Sequence, residues 1–263
     1  MIYKGDYALK YDEMWIDNPK WRPEMAYIQS IIAKNISSNI KWLDAGCGTG
    51  FFLKKFKGFQ RAGFDISEDM LELAKIDNED CLFLMKHNIC EPFHDWNGKW
   101  DFISCTGQPW AYLNSINEIV NVVLNFYNWL APSGKGLLVP DDVQIAFNIN
   151  YHYNFNVEEF RYKYQVLNAL ILSSKDPFSV HKYMIYPMLD QWVRWFSVYF
   201  ERIDILSKKF DTHVVPRTYL ICSNKRKLPK MANAEVFIND KSLDYYINTY
   251  GIDKLNNETL FMK

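Results

Sequence analysis

The sequence has few cysteines, and they show no pairing pattern. Five are scattered over 263 residues, as Cys47, Cys81, Cys90, Cys105 and Cys222. None of them belongs to a CxxC pair, and an odd number argues against a disulfide framework. No cysteine and histidine cluster has the spacing of metal ligands. We therefore expect neither structural disulfides nor a metal site.

An excess of charge of either sign is also missing. The chain has 30 Lys and Arg against 31 Asp and Glu, for a formal net charge of −1, so it has no bulk attraction to nucleic acid or anionic membranes. No run approaches the ~18 apolar residues of a membrane span, and residues 1–10 lack the basic head and apolar core of a signal peptide. We expect a cytoplasmic protein that binds neither nucleic acid nor membrane, with its oligomeric state left open.

The chain does contain a regular alternation of helices and strands. Predicted strands are IKWLDAG, RAGFDIS, CLFLMKHNI, WDFISCTG and KGLLVPDD, separated by the helical segments TGFFLKKFKGF, SEDMLELAKID and INEIVNVVLNFYNWLAPSG. Residues 6–16 and 23–36 are predicted helices ahead of this series. After about residue 188 the alternation returns with helix MLDQWVRWFSVYF and strands RIDILSKKF and RTYLICSNKR. This order predicts a parallel sheet with helices on both faces.

The alternation breaks between residues 140 and 187, where Tyr, Phe and Asn are abundant. Because the helix and strand pattern resumes afterwards, we interpret this region as an insertion within one domain of residues 1–227. Residues 228–263 are polar and are predicted to form a tail or the start of a further unit.

The stretch WLDAGCGTG places a glycine-rich turn after the first predicted strand. Such a turn brings backbone N–H groups and a helix N-terminus to the carboxyl edge of the sheet, where a nucleotide-like ligand binds. The spacing is G-x-G-x-G, not the G-x-G-x-x-G of dinucleotide sites, and no P-loop lysine follows. Asp65, which ends the next strand, can accept hydrogen bonds from two ribose hydroxyls, and Asp44 can face a cationic or amino group.

With WLDAGCGTG, GFDIS and WDFISCTG together, the sequence resembles the class I S-adenosylmethionine-dependent methyltransferases that act on small molecules. The resemblance covers residues 40–140 well and the strands near 203–223 more loosely. It implies a Rossmann-like α/β fold, with a mostly parallel sheet of seven strands whose last strand is antiparallel, and S-adenosylmethionine as cofactor. It places Asp44, Gly46, Cys47, Gly48 and Gly50 at the amino-acid part of the cofactor, Asp65 at the ribose, and Ile66, Asn88 and Ile89 at the adenine.

The N-terminal stretch DYALKYDEMW resembles a helix that reaches over the cofactor in small-molecule methyltransferases. The resemblance implies a cofactor and catalytic role for Tyr11, a cofactor-carboxylate contact for Arg22, and a backbone carbonyl of Cys105 near the sulfonium. Predicted acceptor-pocket residues are Tyr3, Tyr7, Trp15, Trp110, Tyr112 and Tyr153. Helix packing is the alternative role for Tyr11 and Trp15, and a surface charge is the alternative for Arg22.

In sugar and other natural-product methyltransferases, an insertion at this position covers the acceptor, so we expect residues 140–187 to form an aromatic lid. A hydroxyl acceptor benefits from a general base, whereas an amine only needs to be neutral. His152 and His181 are the candidate bases within the insertion, and Tyr153, Asp141 and Asp142 compete with them.

Three functions follow from these observations. The first is methyl transfer to N or O of a small molecule, such as a sugar, another metabolite or a peptide-derived natural product. The second is methylation of a carboxylate on a peptide or acid, which a positive group such as Arg161 or Lys163 would favour. The third belongs to another class, a regulatory module that binds S-adenosylmethionine without catalysis.

Overall fold

A computed structural model describes residues 3–140, 169–175, 181–187, 189–213, 216–230 and 234–238. The helices among them are α1 (Asp6–Tyr11), α2 (Arg22–Asn35), α3 (Phe51–Lys55), α4 (Glu68–Asp77), α5 (Ile116–Trp129) and α6 (Leu189–Tyr199). A π-helical turn, Asp12–Ile16, continues directly from α1, and short 3-10 helices lie at His94–Trp96 and Pro109–Tyr112. The strands are β1 (Trp42–Ala45), β2 (Arg61–Asp65), β3 (Leu84–Lys86), β4 (Trp100–Cys105), β5 (Leu130–Leu138), β6 (Ala169–Lys175), β7 (His181–Pro187), β8 (Phe200–Lys208), β9 (Arg217–Lys225) and β10 (Glu235–Ile238).

The main sheet has the strand order β10-β8-β9-β5-β4-β1-β2-β3. β1 pairs in parallel with β2 and β4, and β5 continues the parallel array beside β4. β9 is antiparallel to both of its neighbours, β5 and β8. The predicted Rossmann-like sheet, with its antiparallel last strand, is therefore confirmed. Because the parallel strands all end at one edge, the loops after β1, β2, β3 and β4 meet there.

Both faces of the sheet are covered, and neighbouring residues of one strand contribute to opposite faces. Leu43 belongs to the core beneath α5 and α6, whereas Trp42 belongs to the core beneath α2, α3 and α4. This division follows from the two-residue period of a strand, which sends successive side chains to opposite sides. It also places the side chains at even positions of β1, Trp42 and Asp44, on the same face of the sheet.

The helix boundaries follow from local chemistry. Ser67 is the N-cap of α4, and its hydroxyl accepts a hydrogen bond from Met70 N at 3.3 Å. Ser115 caps α5 in the same way by accepting from Glu118 N. α5 ends at Trp129, within the predicted helical segment and before Pro132, because β5 begins at Leu130. In this chain the strand, and not the proline, sets the end of the helix.

An ion pair between a buried arginine and an exposed aspartate fixes β2 to the loop before β3. The Arg61 side chain is fully buried, and its guanidinium donates two hydrogen bonds to Asp80, at 2.7 and 2.5 Å. Arg61 Nε also donates to the carbonyl of Leu53 at the end of α3. This guanidinium holds the pKa of the Asp80 carboxyl well below its usual range. The pair thus connects three elements that flank the glycine-rich turn.

Part of the insertion forms an antiparallel hairpin, β6 with β7, separate from the main sheet. β7 lies against the 3-10 helix Pro109–Tyr112, which follows β4. At the other end of the chain, residues 235–238 of the predicted tail form β10 and pair in parallel with β8, so an eighth strand extends the sheet. The boundary predicted at residue 227 stays a prediction. No helix within the described ranges is long and apolar enough to cross a membrane.

Candidate active site

The glycine turn after β1 is held in a left-handed backbone conformation. Gly46, Gly48 and Gly50 have φ values of 73°, 54° and 74°, which side-chain-bearing residues rarely adopt. A Cβ on Gly46 would lie 2.5 Å from Pro109 Cγ, and one on Gly50 would lie 2.5 Å from Asn78 Nδ2. Two of the three glycines are therefore required by the protein's own packing. Gly48 is the more open position, with Met70 Cε at 3.3 Å as its nearest neighbour.

Asp65 braces this turn from the end of β2. Its Oδ2 accepts a hydrogen bond from Gly48 N and its Oδ1 accepts one from Ser67 N, both at 2.9 Å. Burial raises the pKa of Asp65 although these N–H groups oppose the shift. Each carboxylate oxygen has a second lone pair, so the side chain retains acceptor capacity for two ligand hydroxyls, as the ribose prediction requires.

Asp44 lies at the end of β1 on the face that carries the glycine turn, and it is 2% exposed. Its Oδ1 accepts a hydrogen bond from Ser104 Oγ at 2.6 Å. Burial, together with the nearby charge of Asp65, raises the pKa of Asp44 to about 7. Neither carboxylate forms an ion pair with a Lys or Arg side chain in the described part of the chain. The site therefore has a negative potential that a cationic ligand would relieve.

Four tyrosines meet beside these carboxylates, and three of them come from the N-terminal segment. The ring of Tyr3 contacts those of Tyr7, Tyr11 and Tyr112 edge to face, at 5.2, 5.7 and 5.8 Å between centroids. The Tyr3 hydroxyl donates to the Tyr112 hydroxyl at 2.9 Å. Burial raises the pKa of Tyr11, and the charge of Asp65 adds to the shift. The predicted residues Tyr3, Tyr7, Tyr11 and Tyr112 are thus brought together. Burial raises the pKa of Tyr3 as well, so the phenols of Tyr3 and Tyr11 stay protonated at neutral pH.

Hydrogen bonds that the sequence did not predict fasten the N-terminal segment over the site. Thr49 Oγ1 in the glycine turn donates to Asp12 Oδ1 at 2.6 Å. Gly5 N donates to Asp69 Oδ2 at 2.6 Å, and the Ser67 hydroxyl donates to the carbonyl of Tyr3. These bonds join residues up to 64 positions apart, so no local pattern could indicate them. They make the segment a cover for the loops after β1 and β2.

The predicted adenine residues lie next to the ribose acid. Ile66 follows Asp65 and leaves 43% of its surface exposed. Asn88 Oδ1 accepts a hydrogen bond from Cys90 N at 3.3 Å, and the carbonyl of Ile89 accepts one from Asn125. Ile66 thus offers an apolar face, while Asn88 also stabilises its own turn. The adenine roles stay predictions.

Two predicted site residues lie deeper than expected. The Cys105 carbonyl accepts a hydrogen bond from Val139 N as part of the sheet, and the side chain is fully buried. Trp110 has no exposed surface and contacts Trp192 of α6 at 4.9 Å between rings. This placement differs from a pocket wall, because the 3-10 helix turns Trp110 into the core and leaves Tyr112 facing Tyr3.

Trp15 and Arg22 lie where the N-terminal segment meets α2. The ring of Trp15 contacts that of Trp21, which in turn contacts His213. Arg22 starts α2 and has no ion-pair partner among the described residues. Two residues later, Glu24 is 2% exposed and binds Arg217 Nε at 2.8 Å and His213 Nε2 at 3.1 Å. This Glu24 cluster was not predicted from the sequence, and it anchors the start of α2 to β9.

Of the candidate general bases, only His181 lies within the described residues. His152 and Tyr153 lie outside the described residues, as do Asp141 and Asp142. His181 starts β7, where it pairs with Lys175 across the hairpin, but its side chain is outside the described part. The role of each as a base stays a prediction.

The described residues fit S-adenosylmethionine. The ammonium group and the sulfonium of this cofactor carry positive charge, which matches the carboxylates Asp44 and Asp65. Its ribose offers two hydroxyl donors to Asp65, and its adenine can lie on the exposed Ile66. The N–H groups of the glycine turn stand at the start of α3, although Gly48 N is already bonded to Asp65. When bound, the cofactor would supply an electrophilic methyl group, and these residues would hold and orient it.

Comparisons with known proteins agree with this geometry. Residues 19–163, more than half of the chain, match a family model described as a methyltransferase domain. A putative methyltransferase of Bacillus subtilis, YqeM, is 27% identical over 158 residues, which make up 57% of this chain and 58% of that protein. A dTDP-4-amino-2,3,4,6-tetradeoxy-D-glucose N,N-dimethyltransferase of Saccharopolyspora spinosa is 26% identical over 149 residues, 53% of this chain and 56% of that protein. The matched segment thus spans less than two thirds of either relative.

Among solved structures, the fold is similar to that of CalS10 from Micromonospora echinaspora, an S-adenosylmethionine-bound amino pentose methyltransferase. The TM-score is 0.55 at 16% identity, and the match covers 85% of this chain and 98% of that one. The sheet order and the family match confirm the resemblance that the glycine turn indicated. The chain therefore belongs to the family of methyltransferase domains.

Proposed function

We propose that the protein transfers a methyl group from S-adenosylmethionine to an amino group of a small molecule, with an amino sugar as the favoured acceptor class. The observation that carries this proposal is the charge of the site. Asp12, Asp44 and Asp65 have no Lys or Arg partner within the described ranges, so the site attracts cations and repels carboxylates. An amine acceptor, which is cationic in solution, is drawn to such a site, whereas the alternative carboxylate acceptor is not.

The cover of tyrosines supports an acceptor that carries hydroxyl groups. Tyr3, Tyr11 and Tyr112 place phenol groups together beside Asp65, and phenols both donate and accept hydrogen bonds. Sugars present several hydroxyls in a small volume, and aromatic rings bury the apolar faces between them. The Saccharopolyspora spinosa relative, named for an amino sugar nucleotide, and the structural neighbour CalS10, named for an amino pentose, support the same acceptor class.

The reaction demands little covalent chemistry from the protein. Methyl transfer is an in-line displacement, so the protein aligns the acceptor nitrogen and excludes water. A neutral amine attacks with its lone pair, and the proton it carries afterwards can leave to solvent. Because its pKa is raised, Tyr11 stays protonated and acts as an orienting group that accepts or donates a hydrogen bond, not as a base. Asp12, a carboxylate of the N-terminal cover itself, accepts a hydrogen bond from Thr49 in the glycine turn.

The test uses three sugar nucleotides that differ only at one carbon, which carries an amine, a hydroxyl or a carboxylate. Each is incubated with the protein and S-adenosylmethionine, and the product is analysed by mass spectrometry for the mass of one added methyl group. We expect methylation of the amine alone. We also expect the Asp65→Asn variant to form no product, because its neutral amide cannot replace the carboxylate that accepts both ribose hydrogen bonds. Methylation of the carboxylate, or of no acceptor while the cofactor still binds, would contradict the proposal.

A further inference from the structure

A hydrogen-bonded chain of three buried side chains runs beneath the glycine turn. Trp42 Nε1 lies 2.7 Å from Ser104 Oγ, and Ser104 Oγ lies 2.6 Å from Asp44 Oδ1. Trp42 and Ser104 have no exposed surface, and Asp44 is 2% exposed. The sheet register brings them together, because Asp44 of β1 stands opposite Ser104 of β4.

The chemistry of the three groups fixes the direction of every hydrogen bond. An indole nitrogen is only a donor, so Ser104 Oγ must accept from Trp42. The single hydroxyl hydrogen of Ser104 is then given to Asp44 Oδ1. An oxygen that accepts this bond is the poorer place for a proton, which leaves Asp44 Oδ2 for a proton in the free protein or for a cationic donor of a ligand.

Among the described residues, no positively charged side chain faces Asp44 to stabilise its ionised form. Facing it are the Asp65 carboxylate from β2 and three thiols, Cys47 in the glycine turn, Cys81 before β3 and Cys105 on β4. Burial raises the pKa of each of these thiols, so they stay neutral at neutral pH. Among the described residues, the hydrogen bond from the Ser104 hydroxyl is the one that stabilises the charged form of Asp44.

We propose that Trp42 and Ser104 are positioning residues for cofactor binding, which hold Asp44 ionised and present its Oδ2 to the ammonium group of the cofactor's amino-acid end. The inference rests on the proposed function in taking S-adenosylmethionine as the ligand of Asp44. Neither residue touches the cofactor. Their effect is transmitted through the orientation and the proton affinity of one carboxylate.

The first readout is the titration of Asp44 in the ligand-free protein, followed by carbon-detected NMR of its carboxyl group. Ser104→Ala removes the only stabilising bond, and we expect the pKa of Asp44 to rise by about one unit. Trp42→Phe leaves Ser104 free to rotate, and we expect a smaller rise in the same direction. Ser104→Thr retains the hydroxyl and is expected to restore the wild-type titration.

The second readout is the dissociation constant of S-adenosylmethionine, measured by calorimetry as a function of pH. At neutral pH, we expect the Ser104→Ala variant to bind S-adenosylmethionine about tenfold more weakly than wild type. We also expect the pH below which binding is lost to rise together with the pKa of Asp44. Trp129→Phe is the matched control. It removes a buried indole from the opposite core, where its nitrogen has no partner among the described residues, and we expect neither readout to change.

An unchanged titration of Asp44 in folded Ser104→Ala would overturn the inference, and so would an unchanged pH profile of binding. If Ser104→Ala does not fold, Trp42→Phe decides by the same two readouts. Failure of the proposed function looks different. A wrong acceptor would leave both readouts as expected. A wrong cofactor would leave wild-type protein unable to bind S-adenosylmethionine at any pH, while the NMR titration still reported on the Trp42–Ser104–Asp44 chain.

Discussion

At the scale of single residues, the proposed role of Asp44 in cofactor binding comes with a cost in stability. Its pKa of about 7 exceeds the ordinary value of 3.8 because burial disfavours the charge. Because the pKa of Asp44 is raised in the folded state, its contribution to the free energy of unfolding is fully present at pH values below its ordinary pKa. That contribution is lost as the pH rises through 7. A bound cation would restore this contribution to stability, because it stabilises the ionised form of Asp44.

Asp44→Asn tests this linkage, because an amide has no charge to bury. We expect the free energy of unfolding of the variant, relative to wild type, to increase between about pH 4 and about pH 7 by an amount on the order of a few kcal/mol. Urea denaturation at several pH values measures the difference. The same variant should lose detectable S-adenosylmethionine binding. A pH-independent difference in stability would show that Asp44 titrates normally.

The binding of S-adenosylmethionine to wild-type protein should depend on pH in the opposite sense to the stability of the free fold. A cation prefers the carboxylate, so affinity should fall as the pH drops below 7 and Asp44 takes up a proton. At neutral pH, binding should release a proton to the buffer. Calorimetry in two buffers with different ionisation enthalpies measures this release, and equal apparent enthalpies in both buffers would contradict it.

At the scale of elements, the glycine turn depends on the loop after β4 as much as on a ligand. Gly46→Ala would place a methyl group 2.5 Å from Pro109 Cγ on a backbone with φ of 73°. Gly58 has an equally unfavourable φ of 83° but open space around its Cβ position. We expect Gly58→Ala to cost about 1 kcal/mol of unfolding free energy and Gly46→Ala about 1–3 kcal/mol more. Thermal and urea unfolding of the pair measure the difference, and equal costs would show that Pro109 moves freely.

The elements near the site could be predicted because their signals are local. The G-x-G-x-G pattern after an apolar run predicts a strand, a turn and a helix. The position of Asp65 at the end of the next predicted strand indicates its role at the ribose. The remaining contacts could not be predicted from the sequence. Thr49 with Asp12, Ser104 with Asp44, and His213 with Glu24 are separated by 37, 60 and 189 positions, and such pairs arise only when strands and helices assemble. Trp110 was misplaced for the same reason, since α6 supplies the ring that buries it.

At the scale of the whole molecule, the insertion is the element that we expect to select the acceptor. Its β6–β7 hairpin lies against the 3-10 helix that presents Tyr112, while Asp44 and Asp65 are held by the main sheet. Deletion of residues 148–182, with a short Gly and Ser linker in their place, should abolish turnover yet leave cofactor binding within about threefold of wild type. Turnover assays and calorimetry on the same preparation separate the two effects. Persistent turnover would mean that the insertion is not the acceptor cover.

The central claim is that the turn after β1, together with Asp65, binds S-adenosylmethionine. Its most direct test is a calorimetric titration of the wild-type protein and of Asp65→Ala with this cofactor at neutral pH. We predict a single site in the wild type and at least about a hundredfold weaker binding in the folded variant, which loses the ribose hydrogen bonds and the brace on Gly48. Absence of binding by the wild type, or equal binding by Asp65→Ala, would contradict the account.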